Sequence, residues 1–142
     1  MKMRPFYTFL LLLISLLIWN ACYVNKQPGA VASLDGTSWE LYAFRKSSPI
    51  EGTEFTLRFE AGQVSGSGGC NHYGGSYEVE GNRLTITGLY STEMACLEPE
   101  GLMEQEAFLL DFLGSAQTYS IDAERLFIVR PDGEMLTFDP IQ

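Results

Sequence analysis

At 142 residues, with eighteen acidic against nine basic side chains and a formal net charge of −9, the chain has the size of a single domain and a strongly acidic balance. Its few basic residues are scattered rather than gathered into a positive patch, which sets nucleic acid aside as an expected partner. An acidic surface keeps an exported protein soluble and leaves a cationic protein partner open.

The chain opens with Lys2 and Arg4, then an apolar run from Phe6 to Trp19, then Asn20-Ala21-Cys22. This is the order of parts in a secretory signal peptide. The run is shorter than the roughly 20 apolar residues that a spanning helix needs, so cleavage is expected rather than permanent insertion. Ala21-Cys22 resembles the lipobox of bacterial lipoproteins, in which the cysteine becomes the lipidated first residue, although Trp19 stands where that pattern usually has Leu. The expected organisation is a signal peptide over 1–21, a lipidated Cys22 leading a Pro- and Gly-containing tether over 22–33, and a folded domain over 34–142. Ordinary signal cleavage without lipid is the alternative. Tyr23 is not the aspartate that favours retention at the inner membrane. The resemblance therefore implies an anchor in the outer membrane or cell surface, facing the periplasm or exterior. Loss of Lys2 and Arg4 leaves seven basic residues against eighteen acidic ones, a formal charge of −11.

From residue 34 onward the pattern alternates with period two, the signature of strands with one buried face. Trp39, Leu41 and Ala43 alternate with Glu40 and Tyr42, and Phe55, Leu57 and Phe59 alternate with Glu54, Thr56, Arg58 and Glu60. Further strands are expected at 63–67, 76–80, 83–87, 118–122, 125–130 and 134–139, with tight turns at Gly81-Asn82 and Pro131-Asp132-Gly133. The segment from Tyr77 to Ile86 repeats in that from Tyr119 to Ile128, sharing Tyr, a β-branched residue two later, then Arg, Leu and Ile. Duplication and ordinary hairpin grammar explain this equally well, and either predicts that the two segments bury corresponding faces.

Between the two hairpins, Pro99 to Leu113 reads as a helix, with Pro99 in its first turn, Glu98 and Glu100 favouring its N-terminus, and Gly114 at its stop. Leu102, Met103, Ala107, Leu109, Leu110 and Leu113 form one apolar arc that suits packing on a sheet. Phe108 and Phe112 fall toward the polar side, so a loop covers them or they mark an exposed contact patch. Glu106 falls inside the apolar arc. It is either a buried carboxylate serving as a candidate site or one satisfied by an arginine or by backbone amides.

These residues resemble the META domain, a family of small bacterial envelope proteins. The resemblance rests on Leu34-Asp35-Gly36-Thr37-Ser38-Trp39-Glu40-Leu41, on Gly69-Cys70-Asn71-His72-Tyr73-Gly74-Gly75-Ser76-Tyr77, and on Ser91-Thr92-Glu93-Met94-Ala95-Cys96, followed by the helix and the second hairpin. Its motif positions here are Trp39, Gly69, Cys70, Asn71, Gly75, Tyr77, Thr92, Met94 and Cys96. It implies a mainly β (α+β) fold, a compact antiparallel barrel-like sheet of about eight strands with one helix packed across it. It also implies a role in stress tolerance and envelope integrity.

Gly66, Gly68, Gly69, Gly74 and Gly75 around Cys70 predict a bulge or sharp bend, with Asn71 capping or bridging it. A phosphate-cradling loop does not fit, since the Lys-Ser/Thr ending is absent and the setting is a sheet. With Cys22 outside the folded domain, Cys70 and Cys96 make an even pair. An exported protein meets oxidising conditions, so these two are expected to form a disulfide. Zinc binding by Cys70, His72 and Cys96 is the alternative, without an evident fourth ligand, so neither a metal nor another cofactor is expected. His72, the sole histidine, has no nucleophile elbow near it, and the carboxylates sit at strand turns and on the helix. The expectation is a noncatalytic envelope protein that binds the membrane through its lipid anchor and an envelope protein as partner. An inhibitor of a cationic enzyme such as lysozyme and an unrecognised hydrolase are the alternatives.

Overall fold

The computed structural model describes residues 32–44 and 47–141. The expected signal segment 1–21, Cys22 and the tether up to residue 31 lie outside the described residues. The described chain forms strands β1 (Thr37–Phe44), β2 (Thr56–Glu60), β3 (Gln63–Ser67), β4 (His72–Glu80) and β5 (Arg83–Ser91), helix α1 (Leu102–Gly114), then β6 (Thr118–Asp122), β7 (Arg125–Val129) and β8 (Met135–Pro140). The eight strands close in chain order into an antiparallel barrel, with β8 returning to pair with β1.

Alternation explains the walls. Leu57 and Phe59 of β2 point inward and are fully buried, while Arg58 and Glu60 between and after them face out. Leu84, Leu126, Ile128, Leu136 and Phe138 join them in one core. A fully buried side chain of this kind contributes about 1.5–3 kcal/mol of burial free energy. The ladder is shortest between β5 and β6, where Arg83 pairs with Thr118, flanked by Leu84 N donating to Gln117 O and Tyr119 N donating to Asn82 O. Helix α1 is the connection between those two strands and packs on β5.

The repeated hairpins do bury corresponding faces. Tyr77 pairs with Ile86 and Val79 with Leu84 in the first, and Tyr119 pairs with Ile128 and Ile121 with Leu126 in the second. The Leu and Ile positions match, with Leu84, Ile86, Leu126 and Ile128 all buried. The second hairpin sits deeper at the others, where Tyr119 is buried against a half-buried Tyr77, Ile121 half-buried against an exposed Val79, and Arg125 half-buried against an exposed Arg83. The turns differ. Gly81 takes the left-handed region easily, whereas the second hairpin forces Ala123 (φ 47°) and Glu124 (φ 66°) into it.

Several expected boundaries shift. Strand β4 begins at His72 rather than Ser76 and β5 runs to Ser91 rather than Thr87, because the Gly-rich stretch continues as strand and is interrupted by a bulge between Gly74 and Ser76. The helix starts at Leu102, three residues later than expected. Glu98-Pro99 is a cis peptide in the approach, and Gly101 (φ 87°) turns the chain into the helix. The buried helix face is also rotated from the expected arc. It comprises Leu102, Glu106, Leu109, Phe112 and Leu113, while Ala107 is exposed and Met103 half-buried. Phe112 therefore belongs to the core, and Phe108 is half-buried with its ring 5.8 Å from Phe44 and 6.0 Å from Phe112.

Candidate functional site

Two polar constellations stand out. The first is a clasp between the β3–β4 bend, the chain after β5, and α1. Glu106 lies on the buried face of the helix and is only 4% exposed. Its Oε2 accepts from the backbone amide of Asn71 at 2.6 Å and from that of Cys70 at 3.3 Å, and its Oε1 accepts from Asn71 Nδ2 at 2.6 Å. Backbone and side-chain amides, not an arginine, satisfy this carboxylate. The buried Asn71 then passes the contact on: its Oδ1 accepts from Thr92 Oγ1 and from Met94 N, both at 2.8 Å, and its Nδ2 also donates to Met94 O at 3.1 Å.

The glycines beside Cys70 have steric reasons. A Cβ on Gly68 would stand 2.7 Å from both Cγ and Oε2 of Glu106. Gly69 has φ +93°, and a Cβ there would stand 2.5 Å from Leu102 Cδ1. Bulk at either position would push the helix away from the bend. A disulfide between Cys70 and Cys96 locks the same junction, closing a separation of 26 residues. It consumes both thiols, so neither serves as a zinc ligand, and among the described residues no group of three metal-ligating side chains forms. The clasp thus unites Gly69, Cys70, Asn71, Thr92, Met94, Cys96 and Glu106. The other motif residues work elsewhere. Trp39 is buried in the core with Nε1 donating to Thr37 Oγ1 at 2.7 Å. Gly75 leaves room for Leu89, whose Cδ2 would lie 3.1 Å from a Cβ there, and Tyr77 packs edge-on against Phe59 with its hydroxyl donating to Asp35 Oδ1 at 3.1 Å.

The second constellation lies on the outer face of β2 to β5. Arg58 pairs across to Ser65, Ser65 to Gly74, and Gly74 to Tyr90. One row along, Ser67 pairs with His72, and Ser67 N donates to Thr56 Oγ1 at 3.0 Å. An open depression of about 420 Å³ on this face is lined by Glu54, Thr56, Arg58, Ser65, Ser67 and His72, and Gly74 and Tyr90 continue the row beyond Ser65. Beneath it, the buried Tyr73 hydroxyl donates to Thr56 O at 2.7 Å, and burial pushes its ionisation well above the ordinary phenol range, so it stays a donor. His72 is exposed here, with its backbone rather than its ring tied to Thr92. A smaller groove of about 280 Å³ lies between Phe44, Ser47 and the helix residues Glu104, Gln105 and Phe108. The sequence pattern does not single out Arg58, Ser65, Gly74 and Tyr90 as a set, because only the strand register brings them into one row. A glycine in one strand and an exposed tyrosine in the next were the available signal.

Residues 32–142 match the family described as META domain. Among solved structures, the chain is similar to an NMR structure of a protein from Burkholderia xenovorans, with a TM-score of 0.66 and 28% identity over 82% of this chain and 98% of that one. It is also similar in fold to the crystal structure of a DUF4847 family protein from Bacteroides vulgatus, with a TM-score of 0.55 and 14% identity over 75% of this chain and 93% of that one. No curated protein matches it significantly.

Proposed function

This chain belongs to the META domain family, and on that premise we propose that it is a noncatalytic protein of the bacterial cell envelope, anchored by lipid on Cys22, that binds or stabilises envelope components under stress. The observation that carries this reading is how the two polar constellations differ. Glu106 and the domain cysteines are engaged in holding the fold: both oxygens of Glu106 accept amide hydrogens, and Cys70 and Cys96 are oxidised to a disulfide. The exposed outer face instead presents a row of hydroxyls, a guanidinium, an imidazole and a phenol ring on rigid strands, an arrangement that suits recognition.

The test has a cellular and a biochemical arm. Deleting the gene in its host is expected to raise sensitivity to envelope-active drugs, with restoration by the wild-type gene but not by Cys22→Ser. An unchanged envelope after deletion would overturn the role, and full restoration by Cys22→Ser would overturn the anchor. The purified domain is expected to be silent in a broad hydrolase screen and to leave lysozyme activity intact at stoichiometric excess. Turnover abolished by His72→Ala, or loss of lysis, would replace this reading with a hydrolase or an inhibitor.

A further inference from the structure

We propose that the outer face of β2 to β5 is a carbohydrate-binding platform centred on Tyr90, taking the uncharged sugar chain of an envelope glycan. The inference rests on the binding role proposed above and names its ligand.

Its centre is the pairing of Gly74 with Tyr90 across β4 and β5. A Cβ at Gly74 would stand 2.6 Å from Tyr90 Oη and 2.8 Å from Cζ, so the phenol ring lies across the bare backbone of the glycine. Even so, Tyr90 is 71% exposed. One side of the ring rests on the sheet, and the rest faces solvent as a flat apolar surface, a shape that costs free energy to leave hydrated. A side chain at position 74 would push the ring off the sheet. Beyond the ring the row continues through Ser65 to Arg58, and the depression of about 420 Å³ opens alongside with Ser67, His72 and Glu54 on its walls.

The chemistry of these walls selects the ligand class. Charges of both signs, Glu54 and Arg58, line the depression, and Arg58 is already ion-paired with Glu60 at 3.0 Å, so no unopposed positive charge is left there to hold an anion. The acidic domain as a whole repels an anion at longer range. Hydroxyl, guanidinium, imidazole and carboxylate groups side by side offer donors and acceptors at close spacing, which matches a ligand that carries many neutral hydroxyls. A pyranose ring supplies these at its edge and an apolar C–H face to lie on the electron-rich face of an aromatic ring. A β1,4-linked chain is extended, and the row from Tyr90 through Ser65 to Arg58 offers it successive contacts across the strands. Exposure alone does not make this setting: Tyr42 is also exposed, but the guanidinium of Arg125 stacks on its ring at 4.2 Å.

The direct test titrates the purified domain with chitotetraose and, separately, cellotetraose, following backbone amide shifts by NMR. The expected result is saturable perturbation of Ser65, Ser67, His72, Gly74 and Tyr90 by at least one of them. Preference for chitotetraose points to the amino-sugar backbone of the cell wall, and preference for cellotetraose to a surface polysaccharide. Tyr90→Ala is expected to weaken binding about tenfold or more, as removal of an aromatic anchor does. Gly74→Ala, which displaces the same ring without removing it, is expected to weaken binding as well, while Tyr42→Ala leaves it unchanged. Tyr90→Ala removes an exposed side chain, so its unfolding midpoint is expected to match the wild type. No saturable shift with either sugar, or shifts unaffected by both ring variants, overturns the platform. If Tyr90→Ala still restores drug tolerance in cells when no sugar binds, the platform falls and the broader binding role stands.

Discussion

Replacing Glu106 with Gln preserves the shape of the side chain and turns one carboxylate oxygen into an NH2 group. In the clasp, Oε2 accepts from the amides of Asn71 and Cys70 at 2.6 and 3.3 Å, and Oε1 accepts from Asn71 Nδ2 at 2.6 Å. A glutamine that turns its carbonyl toward the two backbone amides sets its own NH2 against Asn71 Nδ2. If Asn71 flips to answer it, Nδ2 then faces the Met94 amide, which in the native clasp donates to Asn71 Oδ1 at 2.8 Å. A donor meets a donor in either arrangement. A hydrogen bond to a charged acceptor contributes about 1.5–3 kcal/mol, and a buried donor left unpaired costs about 1–3 kcal/mol, so Glu106→Gln is expected to lose about 2–4 kcal/mol. That is a large share of the roughly 5–15 kcal/mol that holds a domain together. Urea unfolding of the oxidised domain reads this as a lower midpoint at an unchanged slope. Glu104→Gln, an exposed change on the same helix, is the control and is expected to stay within about 0.5 kcal/mol of wild type. A loss below about 1 kcal/mol for Glu106→Gln would refute the claim that this carboxylate fastens the helix to the bend.

Three further changes probe the same frame. Reduction, or the paired substitution Cys70→Ser with Cys96→Ser, is expected to lower stability by about 3.5 kcal/mol from the loop that the disulfide closes, read from urea curves with and without reductant; equal curves would contradict it. Gly69→Ala places a Cβ at φ +93° and 2.5 Å from Leu102 Cδ1, so a loss of about 2–3 kcal/mol is expected in the same assay, and a neutral result would show that helix and bend separate easily. Glu124→Gly relieves a left-handed residue in the β6–β7 turn and is expected to raise stability by about 0.5–1 kcal/mol, with any loss counting against strain at that turn.

Much of this fold was legible in the residues, for reasons that can be named. Leu57 and Phe59 alternate with charged neighbours, and the strand they predict is the one that forms, because a half-buried wall leaves period-two patterning little freedom. Glu106 could be picked out by its position in an apolar arc, and of its expected partners the amides hold it. The failures have equally local causes. Met103 and Ala107 pull the apolar arc of the sequence around α1 and leave Phe112 on its polar side, whereas the barrel covers the side that carries Phe112. The start of β4 was obscured by glycines that read as a bend, although Tyr73 and the register with β3 keep them in the sheet. The row from Arg58 to Tyr90 depends on a bulge that shifts the β4–β5 pairing, and no pattern within one strand reports such a shift.

The motif cluster as a structural clasp, and the outer face as the working surface, meet in a single experiment. In a host lacking the gene, Tyr90→Ala expressed to wild-type abundance is expected to leave drug sensitivity high, because the fold is intact and the platform is gone. Full restoration of drug tolerance by that variant would contradict it.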